Sequence, residues 1–324
     1  MIYFKKTISK SLGTCTYSPH HGGKTARIDV ERSNYLTVTL CILLTAGVVK
    51  LSGPKLRHVI PPAAEDGGVI AVTSVGDDVF VVRQGRQQVE VYDARTFTLQ
   101  RHITVPRLGC PSGLAACAHH QCIYVSDFNH GSVHRAELSG SQAVKQWSVD
   151  DPAGLSVNKA HNVVVACCIR AKMIQEYTTH GALVREISIE QARVIQPCHA
   201  VQLSTGDFVV SEHTSPGAVS VVGVDGQLVD LRCYYPSETP DVEQMSYPRS
   251  LAVTKNDDFV VADSENNRIL LINRSLSSAR ELALSVDGGI QWPWCLCLDE
   301  SRARLYVGEY DGSCRLLVFD NVRL

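Results

Sequence analysis

One unit recurs about every 45 residues from residue 54 onward, and this recurrence constrains the fold more than any other feature of the sequence. In each copy, short apolar segments alternate with polar residues and are bounded by turn residues, which predicts strands rather than helices. The first copy begins at Gly67 and Gly68 and lacks a proline. The other five copies each open with a proline, and the prolines are Pro111, Pro152, Pro197, Pro248 and Pro293.

Each copy contains enough alternating segments for four strands. Residues 268–272 (RILLI) are typical of a third strand, and residues 183–188 (LVREIS) are typical of a fourth. A four-stranded sheet repeated at a spacing of about 40 to 50 residues is the signature of a β-propeller blade. The sequence therefore predicts an all-β fold, a six-bladed β-propeller of four-stranded antiparallel blades over residues 54–324.

The sixth copy ends after its third strand, at residues 315–319, so its fourth strand must come from elsewhere in the chain. The segment from Leu56 to Ile60 lies ahead of the first copy and is similar to the fourth strand of that copy, residues 100–106. We predict that this N-terminal strand pairs with the last blade and removes an exposed sheet edge.

Charge is unevenly distributed along the chain. The formal net charge is −2, but residues 1–53 carry seven bases and two acids. Residues 54–324 carry 24 of the 31 bases and 31 of the 33 acids, which gives them a formal net charge of about −7. Nucleic-acid backbones are bound through an excess of Lys and Arg. The acidic balance therefore argues against DNA as a partner and disfavours RNA.

The 12 cysteines lie within apolar runs such as residues 166–169 and 295–298, where free thiols behave as small buried hydrophobes. This placement favours a reducing, cytoplasmic location. Residues 1–53 are expected to form a poorly ordered extension or to carry a short apolar segment at residues 35–49. That segment has 15 residues, fewer than the roughly 20 of a membrane span, so a membrane partner is not expected but stays open.

The most complete copy, residues 248–269 (PRSLAVTKNDDFVVADSENNRI), resembles the NHL repeat. The resemblance implies a propeller similar to the C-terminal propellers of tripartite-motif proteins. It thus implies a non-catalytic scaffold that binds proteins, such as a substrate-recognition module in a ubiquitin-ligase-type pathway. Residues 1–53 contain only Cys15 and Cys41, without paired zinc spacing, so ligase activity is not expected of this segment. The alternative is single-stranded RNA binding through a basic face, with Arg83, Arg86, Arg302 and Arg304 as candidate clusters.

A second alternative is a metal-dependent propeller enzyme, lyase or lactonase-like. The peptidylglycine amidating lyase, a propeller of this kind, places zinc-binding histidines directly after first-strand prolines. In this chain the residues directly after the prolines are Ser112, Ala153, Cys198, Arg249 and Trp294. None of them is histidine, and His199 lies one residue beyond the corresponding position in its copy. We predict no catalytic residues, no metal site and no cofactor, and hence no enzyme.

Two other patterns have structural interpretations. Cys117 and Cys122 flank a hairpin turn, so they are expected to face each other with His119 and His120 at the tip rather than bind a metal. Four acids follow second strands, where a carboxylate accepts backbone N–H bonds, and this position favours a structural role over a calcium site. These acids are Asp127, Glu212, Asp263 and Glu309.

Candidate binding residues lie in a long insertion and at the starts of first strands. The insertion, residues 233–245, contains Tyr234 and Tyr235, and tyrosines are common interface anchors. Arg249, Trp292 and Trp294 lie where first strands begin and are expected to line one face of the propeller. A protein partner is therefore the leading prediction.

Overall fold

The computed structural model describes residues 14–17, 26–29, 53–62, 67–139, 144–167, 171–192, 194–232 and 244–324. The chain divides into two units, residues 1–52 and 53–324. In the first unit, β1 (Thr14–Tyr17) and β2 (Ala26–Asp29) form an antiparallel pair. The apolar segment at 35–49 and the tyrosines Tyr234 and Tyr235 lie outside the described residues. No helix within the described ranges has the length and apolar character needed to cross a membrane.

The second unit confirms the predicted architecture, because its strands form six four-stranded antiparallel sheets. The first three blades are β4 (Val69–Val75), β5 (Asp78–Arg83), β6 (Gln88–Asp93) and β7 (Leu99–Thr104); β8 (Pro111–Cys117), β9 (Cys122–Asp127), β10 (Ser132–Glu137) and β11 (Lys145–Ser148); and β12 (Pro152–Val157), β13 (Val163–Cys167), β14 (Met173–Tyr177) and β15 (Leu183–Ser188). The next two are β16 (Pro197–Gln202), β17 (Phe208–Glu212), β18 (Val219–Val222) and β19 (Leu228–Arg232); and β20 (Pro248–Val253), β21 (Phe259–Asp263), β22 (Arg268–Ile272) and β23 (Ala279–Glu281). Blade 6 contains β24 (Pro293–Asp299), β25 (Arg304–Glu309) and β26 (Leu316–Asp320), with a 3₁₀ turn at Glu300–Arg302.

The predicted closure of the ring is also confirmed. Strand β3 (Lys55–Ile60) pairs antiparallel with β26, with Val59 opposite Leu317 and His58 opposite Val318. Blade 6 thus receives its fourth strand from the beginning of the unit. The two ends of the repeat array are held together in one sheet, and the edge of β26 is covered.

The core lies between neighbouring blades rather than inside one of them. Phe80 of blade 1 packs in one buried cluster with Leu114 and Ile123 of blade 2. Tyr306 and Val318 of blade 6 pack in a cluster that includes residues of blade 1. Each large side chain that is fully buried in this way stabilises the fold by about 1.5 to 3 kcal/mol. Stability therefore depends on a complete ring in which every blade has two neighbours.

Strand position within a blade determines burial. The second strands are the most buried, and every residue of β9 and β25 is buried. The fourth strands lie at the rim and expose most of their residues, as in β7 and β15. The β-branched and aromatic residues that identified the second strands in the sequence therefore form the interior.

The first strands converge on the axis and leave little space between them. A Cβ atom on Gly113 would lie 2.7 Å from the carbonyl oxygen of Ala153, and one on Gly154 would lie 2.5 Å from that of Cys198. Only glycine permits such an approach of neighbouring backbones. The cavity between the first strands is correspondingly small, about 40 Å³.

Candidate functional site

Each first strand has a β-bulge at the same place, directly after its first residue. The register of pairing shifts between Val69 and Ala71 in blade 1, and between Pro248 and Ser250 in blade 5. Equivalent shifts occur in the other four blades. A bulge redirects side chains, and bulges are frequent next to functional sites. We call the residues that follow the first strand residue the bulge ring, which consists of Ile70, Ser112, Ala153, Cys198, Arg249 and Trp294.

All six members of the bulge ring line one cavity of about 460 Å³. We call it the mouth cavity, because it lies at the end of the blades where first strands begin and second strands end. The turns after the second strands complete its wall with Gln84, Phe128, His213 and Tyr310. Every blade therefore contributes to one site, which is large enough for a side chain or a short peptide segment.

An aromatic and cationic cluster forms one side of the mouth cavity. The rings of Trp294 and Tyr310 stack with centroids 4.2 Å apart and planes inclined by 20°. The guanidinium carbon of Arg249 lies 4.4 Å from the centroid of Trp294, within cation–π distance. Gln84 donates a hydrogen bond to the hydroxyl of Tyr310 at 2.8 Å, and Arg249 donates one to the sulfur of Cys198 at 3.3 Å. The cluster thus connects blades 1, 6, 5 and 4.

Two buried polar atoms beside this cluster have no hydrogen-bond partner among the residues that the structure describes. They are Nε1 of Trp294 and Nδ1 of His213, whose rings meet edge to face with centroids 5.6 Å apart. Burial, together with the charge of Arg249, lowers the pKa of His213 to about 4, so its imidazole is neutral at pH 7. A buried N–H without a partner is destabilising by about 1 to 3 kcal/mol. These atoms are therefore available to a water molecule or a ligand.

The thiols of the mouth cavity are not activated. Burial raises the pKa of Cys198, although Arg249 opposes the shift, and burial and the charge of Asp127 raise the pKa of Cys110. The thiolate is the reactive form of cysteine, so a raised pKa makes both poor nucleophiles. Across the described part of the chain, no three His, Cys, Asp or Glu side chains gather as metal ligands would.

The predicted structural role of the acids that follow the second strands is confirmed. Asp127 accepts hydrogen bonds from the backbone N–H groups of Gly109 and Cys110, and Asp263 accepts one from Ser246. Glu212 and Glu309 do the same for Ile195 and Gln291, which likewise precede a first strand. We call the six equivalent positions, each paired with the first residue of a first strand, the tie ring, which consists of Arg83, Asp127, Cys167, Glu212, Asp263 and Glu309.

The charged partner of the tie-ring residue differs from blade to blade. Nε of Arg268 lies 2.7 Å from Asp263, and Nε of Arg315 lies 2.7 Å from Glu309. Blade 1 reverses the polarity, since Arg83 occupies the ring position and pairs with Glu90 at 3.0 Å. For Glu212, the described residues supply backbone and serine donors but form no ion pair with it.

The remaining sequence patterns also have structural roles. Cys117 faces Cys122 across the hairpin, as predicted. The rings of His119 and His120 lie beyond them in the turn, with centroids 4.7 Å apart. His199 lies between blades, where it accepts from the N–H of Leu251 and contacts the carbonyl of Leu155 at 3.0 Å.

The thiols of Cys295 and Cys297 in blade 6 pack between blades. The sulfur of Cys295 lies 3.7 Å from the carbonyl of Val69, and that of Cys297 lies 3.4 Å from the hydroxyl of Ser74. Both contacts reach the first strand of blade 1. These cysteines therefore stabilise the junction at which the ring closes.

Of the five candidate binding residues, Arg249 and Trp294 come together in the mouth cavity. Trp292 is outside its lining, and its backbone N–H donates to Oδ1 of Asn267 at 2.7 Å. Sequence reasoning did not assign Phe128, His213 and Tyr310 to the site. A signal for them exists, because each directly follows a tie-ring residue at the end of a second strand.

Comparison with known proteins agrees with this architecture. Residues 245–270 match the NHL repeat model. The chain carries an NHL repeat within a six-bladed β-propeller. No curated protein sequence shows significant similarity to the chain.

Solved structures that resemble the NHL-repeat propeller include a lyase, a synthase and a WD40 propeller domain. One is a virginiamycin B lyase from Staphylococcus aureus, with a TM-score of 0.60, 11% identity, and coverage of 82% of this chain and 99% of that one. Another is the WD40 β-propeller domain of Doa1, with a TM-score of 0.59, 12% identity, and coverage of 83% and 97%. A third is the Kuenenia stuttgartiensis hydrazine synthase, with a TM-score of 0.58, 16% identity, and coverage of 80% and 97%. At these identities the similarity concerns the fold alone.

Proposed function

We propose that this NHL-repeat propeller is a non-catalytic scaffold that binds a partner protein at its mouth cavity. The observation that carries the proposal is the bulge ring, which places one side chain from every blade around a single cavity. The ring contributes Trp294 and Arg249, and aromatic and arginine side chains are the usual anchors of protein interfaces. Phe128 adds a 37% exposed aromatic ring to the same cavity.

The charges around the blades favour a protein over RNA. Three arginines of the candidate basic clusters are neutralised: Arg83 pairs with Glu90, Arg302 with Asp299, and Arg304 with Asp320. RNA-binding propeller faces need cations that stay available to phosphates. In the described part of the chain, Arg249 is the single arginine or lysine that lines the mouth cavity.

The side chains of the mouth cavity support a non-catalytic role. Nucleophilic catalysis requires an activated nucleophile beside a general base. Cys198 instead has a raised pKa and contacts Arg249, a donor that does not accept protons at neutral pH. The imidazole of His213 meets the rings of Tyr247 and Trp294, and it is the backbone of His213 that hydrogen-bonds the thiol of Cys198.

The proposal includes a reducing, cytoplasmic setting. Seven cysteines of the described residues are free thiols, including the facing pair Cys117 and Cys122. Substrate recognition for a ubiquitin ligase is one role that such a scaffold would serve. That part of the proposal rests on the resemblance to tripartite-motif propellers alone.

Affinity capture with the full-length chain tests the scaffold proposal. We expect a set of proteins to be captured from extracts of the expressing cells and to be lost with Phe128→Ala or Arg249→Met, each of which alters the mouth cavity. Val229→Ser is the matched control, because Val229 is 60% exposed on the outer strand β19. Quantitative mass spectrometry measures the captured set. Equal capture by all variants, or loss of the set on nuclease treatment, would contradict the proposal.

A further inference from the structure

The charge balance of the mouth cavity indicates the chemistry of its ligand. Among the described residues of the lining, the only charged side chain is the guanidinium of Arg249, and the other lining groups are aromatic, apolar or neutral polar. The carboxylates of the tie ring lie nearby and are engaged by backbone N–H groups ahead of the first strands. Glu265, whose charge acts on His213 from outside the lining, accepts a hydrogen bond from the hydroxyl of Ser246. The cavity therefore has one positive charge without a negative one inside it.

The contacts of Arg249 differ from those of Arg185 and Arg268, two half-buried arginines that form ion pairs. Arg185 pairs with Glu176 at 2.6 Å and Arg268 with Asp263 at 2.7 Å. Arg249 instead contacts a thiol and the face of Trp294. A guanidinium has five N–H donors in a planar fork that matches a carboxylate. The two contacts leave most of this donor capacity of Arg249 unused.

The atoms without hydrogen-bond partners add a second and independent indication. The indole N–H of Trp294 is a donor only, and Nδ1 of the neutral His213 donates in one of its tautomers. Both residues line the cavity beside Arg249. The guanidinium of Arg249 and the indole N–H of Trp294 thus have donor capacity without an acceptor, and His213 adds a further donor when its proton is on Nδ1. An anionic group bound in the cavity beside Arg249 and Trp294 supplies acceptors for them.

We infer that the mouth cavity binds a peptide segment through a carboxylate, held by Arg249 and Trp294, with an apolar or aromatic neighbour against Phe128 and Tyr310. A single arginine matches a monoanion. The mainly apolar remainder of the lining, which includes Ile70, Pro111 and Ala153, matches a peptide better than a polyphosphate. This inference rests on the proposed function, and it specifies the group that the partner protein presents. The carboxylate comes either from an acidic side chain or from the C-terminus of a chain.

Matched short peptides separate these two sources. The probes are Ac-Phe-Gly-OH with its amide Ac-Phe-Gly-NH₂, and Ac-Phe-Asp-NH₂ with Ac-Phe-Asn-NH₂, together with phenyl phosphate and an octameric oligo-U. Binding is measured by calorimetry on the full-length protein. It is also measured by fluorescence of Trp294 in the variant W147F/W292F, in which Trp294 is the sole remaining tryptophan. We expect one carboxylate probe to bind at least about tenfold more tightly than its amide twin, as loss of a charge-assisted hydrogen-bonded pair produces.

The variants test whether this preference depends on the named side chains. Arg249→Met is expected to abolish the preference, and Trp294→Phe, which keeps the stacked ring and removes the N–H, to reduce it severalfold. Arg280→Met, on the outer strand β23 of the same blade, is the matched control and retains it. Thermal unfolding confirms that each variant is folded.

Equal binding of acids and amides, or a preference that survives Arg249→Met, overturns the inference. So does the absence of carboxylate binding up to about 5 mM, the weakest range expected of such contacts, or binding of phosphate or RNA alone. Capture of partner proteins that still depends on Phe128 would then leave the scaffold proposal standing. If no partner protein is captured but carboxylate binding is preserved, the carboxylate inference stands and the scaffold proposal fails.

Discussion

The tie ring and the bulge ring lie at the same end of the blades, one strand apart, yet they differ in how uniform their chemistry is. Four of the six tie-ring positions hold an acid, and each of these acids binds a backbone N–H group ahead of a first strand. The bulge ring contains six different residue types. Because both rings have the same geometry in every blade, the difference reflects their tasks.

Repetition of one chemical group indicates a local structural task that is the same in every blade. The tie-ring acids fix the entry of a first strand, and this task recurs in four of the six blades. A ligand that lies on the axis of the propeller contacts each blade from a different direction, so its site requires different residues. Variation within the bulge ring is therefore a mark of recognition.

The largest effect is expected at the tie ring of blade 5. The substitution Asp263→Ala leaves Arg268 without its carboxylate and the N–H of Ser246 without its acceptor. Removing one partner of a buried ion pair lowers the free energy of unfolding by about 3 to 5 kcal/mol. Urea denaturation measures this change.

The exposed Asp311 provides the control for that measurement, since Asp311→Ala is expected to change the free energy of unfolding by less than about 0.5 kcal/mol. If Asp263→Ala changes stability as little as Asp311→Ala does, the tie ring is not structural, and the contrast between the two rings disappears.

Much of this architecture follows from the sequence, because strands and turns leave local patterns. The prolines at the starts of first strands lack the N–H that an interior strand position needs, so they mark strand beginnings. The similarity between the residues around His58 and those around His102 reveals the closing strand, since both occupy the fourth place in a blade. Local pattern and spacing therefore suffice for the blade count.

The mouth cavity is less accessible to such reasoning. Trp294 and Tyr310 are neighbours in one blade, but Arg249, His213 and Gln84 reach them only because the ring is closed. The bulges that aim the bulge ring into one cavity have no distinctive residue type, as six different side chains occupy them. The sequence thus indicates which residues occupy the bulge ring, but it does not indicate that their side chains line one cavity.

A second prediction concerns pH and distinguishes two members of the tie ring. Burial opposes ionisation of Asp127, but N–H bonds from Cys110 and Gly109 and a hydrogen bond with His130 hold its pKa below the usual range. Burial raises the pKa of Glu212, and its bonds to Ile195 and Ser220 do not compensate. The two carboxyl groups therefore contribute to the pH dependence of stability with opposite signs.

For Asp127, the stabilisation is present above the unfolded pKa of about 3.9 and is lost as pH falls through the lower folded value. Asp127→Asn is thus less stable than the natural chain near neutral pH, and the difference shrinks in acid. For Glu212, ionisation in the folded state is unfavourable once pH rises above about 4.3, so Glu212→Gln gains relative stability as pH rises. Urea denaturation from pH 3 to 7 should show the Asp127→Asn difference changing mainly below about pH 4 and the Glu212→Gln difference changing above it, so that the two differences diverge by on the order of 1 kcal/mol. Parallel curves would contradict the assignment.

The smallest stability effect is expected at the bulge ring, and two arginines of blade 5 provide the comparison. Arg268→Met leaves the buried carboxylate of Asp263 unpaired and should lower the free energy of unfolding by about 3 kcal/mol or more. Arg249→Met removes a contact with a thiol and one with the face of Trp294, and methionine still covers that ring, so a loss below about 1 kcal/mol is expected. Thermal and urea unfolding of both variants measure the difference. A side chain that is retained for recognition makes its main interaction only when the partner is bound. If Arg249→Met lowers the free energy of unfolding as much as Arg268→Met does, Arg249 therefore stabilises the fold rather than binds a ligand.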